Sequence, residues 1–180
     1  SLLFIAVTGE EKGLLGSEYF TMHATVAVER IVADINIDGD NPFYEVFDVN
    51  ALGAEHSSLQ HEALHAARTA GVMLSPDPDP PSVLFIRSDQ YSFVKHGIPS
   101  VFAGSGIRDS HGGTDANRRL SDAWIHDHYH QPADEWLPRY GGDWVLPGMR
   151  VELMMGIAVA HADTSRTANA GDLFGGVARP

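Results

Sequence analysis

The sequence contains no cysteine, which excludes disulfide bonds, thiolate nucleophiles and zinc held by cysteine. Any bound metal must therefore be held by His, Asp or Glu, and the chain has 10 His and 24 acidic residues. Only 12 Lys and Arg oppose those acids, and the net charge of -12 repels a nucleic-acid backbone. Long apolar runs are also missing, since the run at residues 2–7 is too short to cross a bilayer.

The hydrophobic and periodic segments predict a single α/β domain of 180 residues with a flexible tail at 164–180. Continuous apolar runs predict strands at residues 2–8, 31–37, 44–50, 83–88 and 98–104. Helical spacing predicts helices at residues 13–23, 57–71, 89–97 and near 147–163. The first strand, helix and strand follow one another as a βαβ crossover, which predicts a mostly parallel sheet. Residues 105–142 show weak periodicity and predict a long functional loop.

The string HEALH at residues 61–65 matches the zinc motif H-E-x-x-H, with His61 and His65 as ligands and Glu62 as base. The same helix has an apolar stripe that includes Leu59 and Ala63, and the 3.6-residue period places both His on the opposite face. We therefore expect the two His to face water. A zincin site remains the less favoured alternative.

A second set of acids follows the predicted strands. Glu10 and Glu11 come directly after the first strand, and Asp38 follows the second. Ligands of open α/β sheets bind at this carboxyl edge. One carboxylate there could hold a cation while its neighbour faces a metal-bound water. A simpler interpretation is that Glu10 and Glu11 are first-turn acids that favour the following helix.

Four ordered motifs carry a more specific signal: GEEKGLLGSEYF at 9–20, NID at 36–38, RSDQYSFVKHGIPSVF at 87–102 and YHQPADEW at 129–136. With these motifs the sequence closely resembles the di-zinc aminopeptidases, whose relatives include bacterial secreted leucyl aminopeptidases, glutamate carboxypeptidase II, glutaminyl cyclases and the transferrin receptor. The resemblance implies a three-layer α/β/α sandwich and peptide substrates. It also implies a secreted or periplasmic protein.

The same resemblance assigns roles to individual residues. It implies that Glu10 is the general base and that Glu11 and His130 hold one zinc ion. It implies that Asp38 holds a second zinc ion, and that Tyr129 hydrogen-bonds the oxyanion. The weaker assignments are substrate contacts for Asp89, Gln90 and Phe93, where Gln90 replaces the family's usual His, and a bond from Asp134 to a ligand His.

Two further ligands of the family, a His in an H-x-D string and a bridging Asp, precede the paired glutamates, and residues 1–9 contain neither. We therefore expect the chain to be part of a longer protein that binds zinc weakly by itself, because a catalytic zinc usually has three protein ligands. A glutaminyl-cyclase-like enzyme and a non-catalytic binding domain on the same fold stay open as alternatives.

Overall fold

The computed structural model of the protein describes residues 1–39, 43–138, 140, 142–164 and 166–177. Its helices are α1 (Leu15–Met22), α2 (Leu59–Ala70), α3 (Gln90–Val94), α4 (Asp115–Asp127) and α5 (Leu146–His161). Its strands are β1 (Asp34–Ile37), β2 (Asp48–Leu52), β3 (Met73–Leu74) and β4 (Ser100–Ser105). Short 3₁₀ turns include Glu10–Lys12 and Leu84–Ile86. Within the described ranges, the helices are too short or too polar to cross a membrane.

The four strands form one mixed sheet in the order β1-β4-β2-β3. Strand β1 is parallel to β4, with Ile35 opposite Val101, and β2 is parallel to β3. Strand β2 is antiparallel to β4, with Ala51 opposite Ala103. The fold is therefore α/β, as the sequence predicts, and two of the three strand pairings are parallel.

The core lies where α2 and α5 pack on each other and on the sheet. Side chains that alternate along the strands, such as Val49 and Val101, meet Leu59 of α2 and Met155 of α5 there. Helix α2 ends as predicted, because Gly71 adopts φ 74° and its amide bonds the carbonyl of Arg68. The three-layer arrangement stays a prediction.

A second group of contacts packs α1 and α3 beside the sheet. Helix α1 packs on α3, and α3 contacts both β1 and β4. The sequence predicts α1 correctly, but its apolar residues Leu15 and Tyr19 are exposed and its buried residues are Ser17 and Thr21. The hydroxyl of Ser17 donates to the Ser92 hydroxyl at 2.9 Å, and the Phe20 and Phe93 rings lie 6.0 Å apart, so polar and aromatic contacts together dock this helix on α3.

The predicted strand at residues 2–8 is wrong. These residues form neither helix nor strand, and Phe4 is 85% exposed. A strand needs a neighbouring backbone to satisfy its amides, which an apolar run does not reveal. Strand β1 pairs with β4 alone among the described residues, so the predicted βαβ crossover is wrong too.

Two other predictions need correction. Residues 83–88 do not form a strand but contain the Leu84–Ile86 turn, because the carbonyls of Leu84 and Phe85 accept hydrogen bonds from the Gln90 side chain instead of a strand. The predicted loop at 105–142 contains α4. Most of α4 is exposed and Asn117 is its one buried residue, which explains its weak apolar period.

The described part of the predicted tail packs against the turn before α2. The carbonyl of Thr167 accepts from the Ser58 amide at 2.9 Å, and Asn169 donates to the carbonyl of His56. The ring of His56 also bonds Asp172 at 2.9 Å. Residues 166–177 are therefore held to the domain, while residues 165 and 178–180 lie outside the described residues.

Candidate functional site

The paired glutamates lie in a tight turn that the backbone defines. Gly9 has φ 72°, and its carbonyl accepts from the amide of Lys12 at 3.2 Å. The carbonyl of Glu10 then accepts from the amide of Leu14 at 2.9 Å. This turn leaves Glu10 half-buried and Glu11 exposed, so the two neighbouring carboxylates face different surroundings.

The predicted ligands of the first zinc ion meet across the fold. The Nε2 atom of His130 lies 2.6 Å from Oε1 of Glu11, although the two residues are far apart in sequence. His130 lies just after α4 and has φ 57°, a conformation that residues other than glycine rarely adopt. Tyr129 stacks on its ring with a centroid distance of 3.8 Å. Tyr129 and His130 therefore form one unit beside the glutamate turn.

The loop that carries His130 is closed by its own hydrogen bonds. The Nδ1 atom of His128 donates to the carbonyl of Ala133 at 2.7 Å, and the side-chain amide of Gln131 donates to the carbonyl of His126 at 2.8 Å. These bonds hold the backbone on both sides of His130. They explain how a short exposed loop maintains an uncommon backbone angle.

Asp38 lies just beyond the carboxyl end of β1, as the sequence predicts. Its Oδ2 atom accepts a hydrogen bond from the Ser88 hydroxyl at 2.9 Å. Ser88 in turn accepts from the side-chain amide of Asn36 at 3.2 Å. Sequence reasoning missed Asn36, although an amide side chain in an otherwise apolar strand is a signal of a buried polar contact.

Electrostatics tie these residues into one site. Burial raises the pKa of Glu10, and the charges of Glu11, Asp38 and Asp89 raise it further, while a hydrogen bond from Ser88 opposes them. The negative charges of these carboxylates repel one another, and a nearby cation would reduce that repulsion.

The phenol of Tyr129 belongs to the same electrostatic group. Burial raises its pKa, and the carboxylates of Glu11, Asp38 and Glu10 add to the effect. Its hydroxyl therefore keeps its proton throughout the neutral range. A protonated hydroxyl beside three carboxylates is a hydrogen-bond donor, and it adds to the Ser88 hydroxyl as a donor at this acid-rich site.

The donor chemistry fits zinc, but the number of donors is small. An imidazole nitrogen and carboxylate oxygens are zinc ligands, and Glu11 and His130 bring one of each together. In the described ranges, no three His, Asp or Glu residues are close enough to form a metal-binding group. The structure thus brings together two of the predicted ligands of one ion and leaves Asp38 separate from them.

The residues with the weaker assignments are either buried in the fold or lie near the surface. Gln90 and Phe93 are 0% and 4% exposed, so both lie inside the protein and present no surface to a substrate. This burial does not favour the predicted substrate contacts of either side chain. Asp89 lies just before α3 and remains close enough to raise the pKa of Glu10. Asp134 is exposed, and its bond to a ligand His stays a prediction.

Among the residues that the structure describes, the HEALH string does not form a metal site. His61 and His65 are exposed on α2, on the face opposite Leu59, as the periodicity predicts. Glu62 is engaged elsewhere, since its Oε1 lies 2.7 Å from a guanidinium nitrogen of Arg166. Its carboxylate therefore contributes to packing of the tail on α2.

A family model adds an independent observation to this geometry. The model for peptidase family M28 matches residues 1–138, a range that includes the glutamate turn, Asp38 and His130. A search of curated proteins gives no significant match. Because the family model covers most of the chain, the protein belongs to peptidase family M28, a family of zinc-dependent metallopeptidases.

Proposed function

We propose that the protein is a zinc-dependent aminopeptidase that removes residues from the free amino terminus of peptides. The observation that carries this proposal is the contact of Glu11 with His130 at 2.6 Å, directly beside Glu10. Metal-assisted hydrolysis needs metal ligands and a base beside them. Glu11 and His130 are ligand types in contact, and the half-buried carboxylate of Glu10 is next to Glu11 in the chain. Membership in the family supplies the reaction class.

The residues that would hold metal are Glu11 and His130 for one zinc ion and Asp38 for another. Zinc bound at such a site supplies a Lewis acid that polarises the peptide carbonyl and makes water easier to deprotonate. The clustered carboxylates favour cation binding for the same reason that they raise the pKa of Glu10.

Glu10 is the general base of the proposed reaction. Its carboxylate accepts a proton from the attacking water and then donates that proton to the leaving amine. Because burial and neighbouring acids raise its pKa, Glu10 is a stronger base than an ordinary carboxylate. The hydroxyl of Tyr129 stays protonated and donates to the carbonyl oxygen as that atom gains negative charge.

The charge around the site favours a free amino terminus. Glu10, Glu11, Asp38 and Asp89 all act on the same region through their charges. Bound zinc would offset the charges of Glu11 and Asp38, but Asp89 is assigned to no metal, so its carboxylate would attract a peptide ammonium group and repel a peptide carboxylate. This preference favours an aminopeptidase over a carboxypeptidase.

Zinc binding tests the metal assignment. Calorimetry on the full chain should give a zinc affinity that Glu11→Ala and His130→Ala each weaken, because each removes one of two adjacent donors. His61→Ala is the matched control, since it removes an exposed His of α2. Loss of zinc binding only in His61→Ala would refute the assignment and would mean that zinc binds to the HEALH segment.

Peptide hydrolysis tests the reaction. The protein should release the first residue of a peptide with a free amino terminus and leave the N-acetylated peptide intact. Glu10→Gln should lower kcat by about 10² to 10⁴-fold, the usual contribution of a general base. Glu29→Gln, at an exposed position, is the control. Release of pyroglutamate from an N-terminal glutamine would instead support a cyclase, and zinc binding without any turnover would support a binding domain.

A further inference from the structure

A continuous chain of side-chain hydrogen bonds lies behind Asp38. The Ser88 hydroxyl donates to Oδ2 of Asp38 at 2.9 Å. The side-chain amide of Asn36 donates to the Ser88 oxygen at 3.2 Å and to Oε1 of Gln90 at 2.8 Å. Asn36 lies in β1 and Asp38 just after it, while Ser88 precedes α3 and Gln90 is the first residue of α3.

The far end of this chain is fixed by the backbone. Gln90 is completely buried, and its Nε2 atom donates to the carbonyls of Phe85 at 2.7 Å and Leu84 at 3.3 Å. Backbone carbonyls only accept hydrogen bonds, so the amide nitrogen of Gln90 must face them. Its oxygen must then face Asn36, and this excludes the flipped orientation.

Each bond in the chain determines the direction of the next. Because the Gln90 oxygen only accepts, the Asn36 amide nitrogen must be the donor. That nitrogen has a second hydrogen, which it donates to the Ser88 oxygen. Ser88 has one hydrogen of its own, and in this geometry it is donated to Asp38 at 2.9 Å, although the Glu10 carboxylate is also close enough to accept it. Two backbone carbonyls thus set the orientation of Asn36, whose amide bonds the Ser88 oxygen and leaves the Ser88 hydrogen for a carboxylate of the site.

We propose that Gln90 is a positioning residue, which holds the Ser88 hydroxyl on the Asp38 carboxylate through Asn36 and so orients Asp38 toward metal. The proposal rests on the proposed function for its consequence in zinc binding. Gln90 is enclosed by the fold, so it acts on the site through other residues and not by contact with a substrate. Residues that bond a metal ligand in this way commonly affect metal affinity.

The side chain of glutamine suits this role better than histidine does. Gln90 donates twice and accepts once in the same place. A neutral imidazole has one donor and one acceptor, so it would leave one of the two carbonyls or Asn36 without its bond. The substitution of Gln for the usual His of the S-D-H string is therefore consistent with a buried relay and not with a lost substrate contact.

The first test compares zinc affinities of the full chain by calorimetry. Gln90→Met keeps most of the side-chain volume and removes its hydrogen bonds, and Ser88→Ala breaks the bond to Asp38. Ser88→Ala should weaken zinc binding about tenfold, the usual effect of losing a residue that bonds a ligand, and Gln90→Met should weaken it by no more than that, because Gln90 acts through Ser88. For the same reason, the double variant should bind no more weakly than Ser88→Ala alone. Gln60→Met, on the exposed face of α2, should bind as the parent does.

Additive losses in the double variant would overturn the proposal, because they would mean that Gln90 acts independently of Ser88. An unchanged affinity in Gln90→Met would overturn it as well. If Gln90 had a purely structural role, Gln90→Met would lower the unfolding temperature, and its effect on zinc affinity would still add to that of Ser88→Ala.

The second test needs no metal, so it separates this proposal from the proposed function. In the apo protein, NMR should show the side-chain amide protons of Asn36 exchanging slowly with water, and Gln90→Met should make them exchange faster. Gln60→Met should leave them unchanged. Equal exchange in Gln90→Met and the parent would refute the relay even if zinc binds. Failure of the parent to bind zinc would refute the proposed function and leave this result to decide the relay.

A conservative variant covers the case in which Gln90→Met does not fold. Gln90→Glu keeps an oxygen that accepts from Asn36 and nearly the same shape, and in its protonated form it can donate one hydrogen bond to the carbonyls of Leu84 and Phe85. Its Asn36 amide protons should therefore stay protected in the apo protein. Loss of that protection in a folded Gln90→Glu variant would show that the acceptor does not hold Asn36, and the proposal would be wrong.

Discussion

The carboxyl group of Asp34, at the start of β1, leads to a prediction about stability and pH. Its Oδ2 atom is buried and has no hydrogen-bond partner in the part of the chain that the structure describes. Its pKa is raised from 3.8 to about 7, chiefly by burial and also by the charge of Asp89, against the opposing effect of a hydrogen bond to the Ser100 side chain. The folded protein therefore holds a proton on Asp34 that the unfolded chain releases.

The direction and size of the effect follow from linkage. Because the pKa in the folded state is raised, the favourable contribution is complete below about pH 4 and is lost as the pH rises through about 7. Between those limits the free energy of unfolding should fall by about 1.4 kcal/mol per pH unit. The interval from 3.8 to about 7 is about 3 units, so the total is about 4 kcal/mol.

Urea unfolding of the parent and of Asp34→Asn between pH 4.5 and 7.5 would measure this. The amide resembles the protonated acid in shape and has no charge, so the variant should lack this part of the pH dependence. Its stability relative to the parent should rise by about 3 to 4 kcal/mol across the range. Asp163→Asn, at an exposed position, is the control. Parallel pH profiles for the parent and Asp34→Asn would refute the argument.

Three further predictions concern the core and the HEALH helix. Leu59→Ala should lower the free energy of unfolding by about 2 to 5 kcal/mol, because Leu59 is completely buried, and the partly exposed Leu64 on the same helix provides a control for chemical denaturation. Gly53→Ala should destabilise the protein by about 1 to 3 kcal/mol by thermal unfolding, because Gly53 has φ 84° and an added Cβ would lie 1.8 Å from the Phe85 ring. His61→Ala should change stability by less than about 0.5 kcal/mol, since the side chain is exposed, and a larger loss would mean that the helix face has a partner.

The sequence patterns were most informative where local periodicity and capping agree. Helix α2 has an apolar stripe and a C-terminal Gly71, and α5 has the same kind of repeat around Met155, so both helices could be predicted. Strand β4 could also be predicted, because it is an apolar run buried on both faces. The same pattern at residues 2–8 misled, since an apolar run does not show whether a neighbouring strand exists to pair with it.

Hydrogen bonds made by polar side chains were beyond prediction from the hydrophobic pattern. The buried face of α1 is Ser17 and Thr21, because Ser17 bonds Ser92 of α3, and no hydrophobic period signals such docking. Likewise, residues 84–86 form a turn and not a strand, because the side chain of Gln90 donates hydrogen bonds to the carbonyls of Leu84 and Phe85. In the first case a hydrogen bond between segments 75 residues apart decided how the helix docks, and in the second a side chain five to six residues away replaced strand pairing.

For the candidate site, the sequence by itself determined the chemistry: no cysteine, paired glutamates after an apolar segment, Asp38 after a strand, and His130 in a motif that resembles one family. These are properties of residue type and order. Only the tertiary structure decided that Glu11 meets His130 at 2.6 Å and that Gln90 is buried behind Asp38 and not exposed to a substrate. The physical reason is that distances between residues far apart in the chain depend on how α4, α3 and the sheet pack, and packing is a property of the whole fold.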